Sequence, residues 1–148
     1  MGLIRAISAT ASGLAAQRVR MDTVSGNVAN LETTRTPAGT GPYKRHVVRF
    51  SAASVGTPFS NIIQRFTGQA SDGVVLTQVA EDTVTPTRRV YDPAHPDAAA
   101  DGFVEMPNVD LVTEMTDLTS ANRSYQANVT VLNAVKQMAL RALDIGNR

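Results

Sequence analysis

Residues 108–145, NVDLVTEMTDLTSANRSYQANVTVLNAVKQMALRALDI, carry the reading on which the rest of the chain depends. Apolar or bulky residues recur at Leu111, Met115, Leu118, Tyr125, Val129, Leu132, Ala139 and Leu143 in alternating steps of four and three, with lapses at Asn122 and Lys136. That period is a heptad-like seam, and the two lapses are expected to set its register. A second stripe through Val131, Val135, Met138, Ala142 and Ile145 lies beside the seam. At about 100° per residue, the end of the helix is therefore apolar around roughly 200°. One partner helix cannot cover so wide an arc. No proline follows Pro107, and Asn108 or Asp110 is placed to cap the start by accepting a hydrogen bond from a free backbone N–H. Such a helix runs about 55 Å at about 1.5 Å per residue, too long for the core of a compact small domain.

The matching helix is at the other end of the chain. From Leu3 a seam runs through Ile7, Thr10, Leu14, Gln17, Met21, Val24, Val28 and Leu31, again in fours and threes. Ser12-Gly13 and Ser25-Gly26 interrupt it, each glycine costing about 1 kcal/mol relative to alanine in a helix interior. A helix this marginal needs a partner. The expected fold is mainly α, with long N- and C-terminal helices paired as a coiled coil and a small β-rich insert between them. Residues 1–32 with 108–148 would form the helical part, and residues 33–107 the insert.

Within the insert, residues 32–42 (ETTRTPAGTGP) end the helix and make turns. Tyr43 to Phe50 has strand composition, and Ser51 to Ser60 is small, polar and turn-prone. Asn61 to Phe66 and Gly73 to Ala80 are further strand candidates. Pro86, Pro93, Pro96 and Pro107 favour extended chain from Glu81 onward.

Composition narrows the function. Net charge is +1 and aromatics make up 5% of the 148 residues, so neither a phosphate-tracking surface nor base stacking has much to build on. Nucleic acid is not an expected partner. The absence of cysteine removes disulfides, thiolate zinc sites and thiol nucleophiles together. The first residues lack an uninterrupted apolar region with a cleavage site, and no run approaches membrane-spanning length. No cleaved signal peptide and no membrane span are therefore expected.

One cluster resembles a catalytic or metal site. Asp92, His95, Asp97 and Asp101 could in principle converge on one cation and support a hydrolase. The ligand spacing fits neither a calcium loop nor a zinc site, and Asx-Pro turn chemistry is the simpler account. His46 stands among Lys44, Arg45 and Arg49, which reads as a solvated strand face. No serine is marked as activated by either histidine, so no catalytic constellation, metal site or cofactor is expected.

Several short stretches can be set together: Ser12-Gly13-Leu14-Ala15-Ala16-Gln17, Asn27-Val28-Ala29-Asn30, Thr33-Thr34-Arg35-Thr36 and Gly41-Pro42-Tyr43-Lys44-Arg45. To these belong residues 89–98 (RVYDPAHPDA), Gly102-Phe103-Val104, Met106-Pro107-Asn108-Val109, Glu114-Met115 and residues 121–128 (ANRSYQAN). Together they resemble the bacterial flagellar rod and hook axial-protein family, and within it the basal-body rod protein C group of the proximal rod. The first two motifs are shared by axial proteins generally; YDPAHPDA and MPNV point to the C group. Gly26 departs from the pattern, which usually has Ala, Ser or Asn there, and implies a softer helix end. Residues 51–73 carry no matching motif.

The resemblance implies a non-enzymatic structural subunit, exported unfolded by the flagellar type III apparatus and assembled in the periplasm around an export channel. Its implied partners are copies of itself, the other rod proteins and the adaptor protein of the MS ring and export gate. The implied pairing and interface residues are Leu3, Ile7, Leu14, Met21, Val24, Val28 and Leu31 on the first helix. On the last they are Leu111, Met115, Leu118, Tyr125, Val129, Val131, Leu132, Val135, Met138, Ala142, Leu143 and Ile145. The alternatives are another flagellar axial protein of the rod or hook type and a cytoplasmic helical adaptor, which would use the same apolar surface.

Overall fold

The structure is a computed structural model that describes residues 2–37, 41–53 and 73–146. Its elements run α1 (Gly2–Ala29), β1 (His46–Ala52), β2 (Val74–Glu81), β3 (Arg88–Tyr91), β4 (Phe103–Met106) and α2 (Leu111–Gly146). The strands form two two-stranded sheets, β1 with β2 and β3 with β4. A mainly helical chain with a β insert is thus what the sequence folds into. The chain divides into two compact units: Met1–Val19, Arg49–Gln78 and Ala121–Arg148 make one, and Arg20–Val48 and Val79–Ser120 the other.

The first unit is pinned by the SGL motif. The Ser12 hydroxyl donates to the Ala9 carbonyl at 2.8 Å and accepts the Val74 N–H, which opens β2, at 3.0 Å. Gly73 makes that approach possible: its φ is +149°, and a Cβ there would sit 2.6 Å from Ser12 Oγ. Beside it, Gly13 lets α2 come close, since a Cβ would meet Asn128 Nδ2 at 3.1 Å.

In the second unit α1 ends where Asn30 turns back, its Nδ2 donating to the Gly26 carbonyl at 2.9 Å. The Thr33 hydroxyl in turn donates to Asn30 Oδ1. Gly26 lies within α1, and nothing lies within 4 Å of where its Cβ would be. Gly26→Ala is therefore expected to stabilise the protein by about 0.5–1 kcal/mol, the helix-interior difference between the two residues. Urea denaturation checks it; a loss of stability would mean the side chain meets something after all.

α2 opens on Asp110 rather than Asn108. Asp110 Oδ2 accepts the Thr113 hydroxyl at 2.5 Å and the Thr113 N–H at 2.9 Å, while its carbonyl accepts the Glu114 N–H. Those Thr113 bonds hold the Asp110 carboxyl below its usual range. Asp82 is lowered in the same way by the Thr85 backbone and hydroxyl, and Asp101 by the Phe103 N–H. A lowered carboxylate contributes stability that is present above its unfolded pKa and lost as pH falls through the folded one. Acid unfolding is therefore expected to set in below the ordinary aspartate value of 3.8. In Asp110→Ala the acid limb should become shallower, with a lower melting temperature at neutral pH, both read by circular dichroism.

The strand bounds differ from the sequence reading. β1 starts three residues later than expected and continues into the small residues Ser51 and Ala52, which cross-strand partners hold extended whatever their own propensity. The expected strand at Asn61 to Phe66 lies outside the described residues. The proline-bearing stretch holds a hairpin that composition concealed: β3 and β4 pair antiparallel, with Arg88 opposite Met106 and Tyr91 opposite Phe103. Its loop is closed by the Asp92 N–H to the Gly102 carbonyl at 3.0 Å and by Gly102 N–H to Ala99 at 2.8 Å. Gly102 has φ +75°, and a Cβ there would strike the Tyr91 ring at 2.8 Å.

Candidate functional site

The deepest side chains of the second unit are polar. Glu114 is 0% and Asn27 1% exposed, and burying such groups is costly unless every donor and acceptor is matched. Here they are. Asn27 Nδ2 donates to Glu114 Oε2 at 3.0 Å and to the His46 carbonyl at 2.9 Å. Asn27 Oδ1 accepts the His46 N–H at 2.9 Å and the Tyr43 hydroxyl at 3.0 Å. The amide thus joins α1, the first residue of β1 and α2, pairing with His46 as a neighbouring strand would.

The other Glu114 oxygen accepts Arg45 Nε at 2.5 Å, and Arg45 Nη2 reaches Asp117 Oδ2 at 3.4 Å. Arg45 is held in turn by its backbone, which donates to Asn108 Oδ1 at 2.7 Å. Asn108 Nδ2 donates to the Asp82 and Thr85 carbonyls, both at 3.0 Å. The Tyr43 hydroxyl lies 2.6 Å from His46 Nδ1; with its proton given to Asn27, the imidazole supplies the hydrogen from Nδ1. Burial, then the Glu114 and Glu81 charges, push the Tyr43 phenol above its ordinary value.

The expected solvated face of Lys44, Arg45, His46 and Arg49 is therefore corrected at two of its four positions. Arg45 is ion-paired to a fully buried carboxylate, and His46 lies inside the network. The hydrolase cluster does not assemble either. Asp97 is taken by the Thr34 hydroxyl at 2.8 Å and Arg35 at 2.7 Å, and its N–H donates to His95 Nδ1 at 3.1 Å. Asp101 pairs with Arg89 at 2.6 Å, while Asp92 accepts the Ala94 N–H within its own turn. Among the described residues no three His, Asp or Glu side chains are placed to share a cation. The cleft of about 310 Å³ nearby is lined by Thr34, Arg35, Arg89, Asp97, Phe103 and Glu105 among others. Its arginines, Arg35 and Arg89, each face an aspartate of their own, Asp97 and Asp101.

Asn27, Tyr43, Arg45, Asn108 and Glu114 come from four separate motifs of the sequence and meet in this one network, a convergence that a shared ancestry would explain. The family pattern described as "Flagella basal body rod protein" matches residues 7–35, and that described as "Flagellar basal body rod FlgEFG protein C-terminal" matches residues 100–145. Over 152 aligned residues the chain is 46% identical to the flagellar basal-body rod protein FlgC of Bacillus subtilis, covering 99% of each. It is 43% identical to that of Borreliella burgdorferi, covering 98% of each, and 40% identical to that of Salmonella typhimurium, covering 99% of each. The chain belongs to the flagellar basal-body rod protein family. It is a structural rod subunit.

For a rod-family subunit the question becomes which apolar residues the fold leaves uncovered. On α1, Ala16, Val24 and Asn27 are the buried positions, Leu14, Met21, Val28 and Leu31 are half-buried, and Leu3 and Ile7 are exposed. On α2 the least exposed line runs through Glu114, Leu118, Ala121, Tyr125, Asn128, Leu132, Val135 and Ala139. This differs from the expected seam by one residue at every other step. The true line passes through Ala121 and Val135, so Asn122 and Lys136 are not lapses in it but exposed side chains. The sequence reading followed Leu111, Met115, Val129 and Leu143 because they are large. A buried glutamate and small or polar residues at Ala121 and Asn128 gave the pattern no signal.

The remaining apolar residues of α2 point away from that line. In the second unit Val112 is 73% and Met115 57% exposed, and Leu111 is exposed as well. In the first unit Val131, Met138, Leu140, Ala142 and Leu143 are exposed, Leu143 at 71%, while Val129 is half-buried. The side chain of Ile145 lies outside the described residues. Thr116, Thr119 and Thr130 turn their hydroxyls back to the carbonyls of Val112, Met115 and Gln126 at 2.8–3.0 Å. With the hydroxyls so engaged, exposed threonines present methyl groups and make the face more apolar than its composition.

Proposed function

We propose that this rod subunit polymerises through its terminal helices, with the exposed face of α2 as the surface that other basal-body subunits cover. The observation that carries the reading is that face: rigid helix, methyl-bearing threonines and large apolar side chains left open, each of the latter releasing about 1.5–3 kcal/mol when buried. Residues 1–32 and 108–148 are the assembling part, and residues 33–107 the insert. The helices pair as an antiparallel coiled coil. Within one unit Gly13 lies beside Asn128, and within the other Asn27 bonds Glu114, each a contact between α1 and α2.

The subunit transmits torque by many such contacts summed along a helical array around the export channel. Its neighbours are other rod proteins and the adaptor of the MS ring and export gate. It reaches the periplasm unfolded through the flagellar type III apparatus. No helix among the described residues is long and apolar enough to cross a membrane.

Met138→Glu and Leu143→Glu test the reading. Both positions are exposed, so the isolated chain should melt within about 1–2 °C of the parent, surface substitutions staying within about 0.5 kcal/mol. Incorporation into purified basal bodies and swimming should be lost. Normal incorporation of both variants would remove this face from the interface.

A further inference from the structure

We propose that the Asn27–Arg45–Glu114 cluster is a register lock: it discriminates between alignments of α1 and α2 more than it adds to stability, and it does so through a third element, β1. The inference rests on the helix pairing proposed above. Two apolar seams of heptad period match one another equally well after a slide of one heptad, so the seams alone do not select an alignment. In this chain the alternative has an electrostatic attraction of its own. Arg20 lies one heptad before Asn27, so a slide by that distance would bring a guanidinium opposite Glu114.

What opposes the slide is on the page. In the observed alignment both Glu114 oxygens are used, one by Asn27 at 3.0 Å and one by Arg45 at 2.5 Å. All four hydrogen-bonding positions of the Asn27 amide are used as well, two of them by the His46 backbone. A slid α1 would leave that amide buried with no partner and strip His46 of its pairing. Arg45 and His46 cannot follow α1, because the Arg45 backbone is tied to Asn108 at 2.7 Å and its carbonyl accepts the Asp82 N–H at 2.7 Å. Taking charges out of water offsets most of what their pairing returns, so the native cluster adds little. The slid state leaves the buried Asn27 amide and the His46 backbone groups it pairs with unmatched, and carries their desolvation penalty in full. That asymmetry is what a lock requires.

The test is the triple variant Asn27→Leu/Arg45→Met/Glu114→Leu of the full chain, beside Asn27→Leu alone, followed by backbone amide NMR and thermal melting. The parent is expected to show one resonance per amide over residues 20–29 and 111–120, with proton contacts between α1 and α2. The triple variant should keep its helix content and melt within a few degrees of the parent or higher, yet show two or more resonance sets over the same residues. Asn27→Leu alone should melt clearly lower, since Glu114, Tyr43 and His46 each lose a partner. A triple variant with a single set and the parent's interhelix contacts would overturn the lock, and so would one that fails to fold. A parent that itself lacks those interhelix contacts would instead overturn the helix pairing beneath it.

Discussion

Arg45→Ala is expected to lower the free energy of unfolding by about 3–5 kcal/mol, the cost of leaving a buried charge uncompensated. Glu114 is fully buried, and Arg45 supplies its charge-bearing partner from β1's approach. Asn27 remains to hydrogen-bond the carboxylate but brings no charge. Arg45→Lys should recover only part of the loss, because a point ammonium cannot address Glu114 and Asp117 together as the guanidinium fork does. Chemical denaturation of the three chains at neutral pH gives the ranking; a loss below about 1 kcal/mol for the alanine variant would place the pair among ordinary surface bridges.

Asn27→Asp is the second large effect, although it changes an NH₂ for an oxygen and little else. The replaced Nδ2 donates to Glu114 and to the His46 carbonyl, so two acceptors would face a new acceptor, one of them already charged. The expected cost at neutral pH is about 3–5 kcal/mol. Its pH dependence runs opposite to the parent's. A carboxyl beside a buried carboxylate has its folded pKa raised above the unfolded value, so the folded state binds the extra proton and stability rises as pH falls from 7 toward about 4. The parent, with Asp82, Asp101 and Asp110 held low, gains nothing over that range and loses stability below it. Melting temperatures of both chains across the range should converge on acidification; parallel curves would mean that Asn27 and Glu114 do not share one buried site.

Both effects arise at residues that apolar periodicity passes over. The two helices were legible because their seams persist through many turns, and Gly73 to Ala80 because a run of β-branched residues follows a turn. The β3–β4 hairpin was hidden by prolines placed in its loop rather than its strands, and by an Asp101-Gly102 turn that needs positive φ only at Gly102. The polar cluster was present as letters in four motifs, yet nothing in the spacing of Asn27, Arg45 and Glu114 announces that they meet. Their partnership depends on β1 passing over the end of α1, which is a tertiary fact. Hydrophobic periodicity is biased toward large side chains, and it puts Met115 and Val129 in the seam where Glu114 and Asn128 lie.

That exchange changes the picture of α2: Val112, Met115, Met138 and Leu143 face outward, and small and polar residues share the inward line with Leu118, Tyr125, Leu132 and Val135. Because the chain has no cysteine, a single cysteine reports its own position without ambiguity. Maleimide labelling of Val112→Cys, Met138→Cys and Leu143→Cys, in the isolated chain and in purified basal bodies, tests the central claim most directly. The account predicts rapid labelling of all three in the isolated chain and strong protection of all three in the basal body. Equal labelling in both states would contradict it.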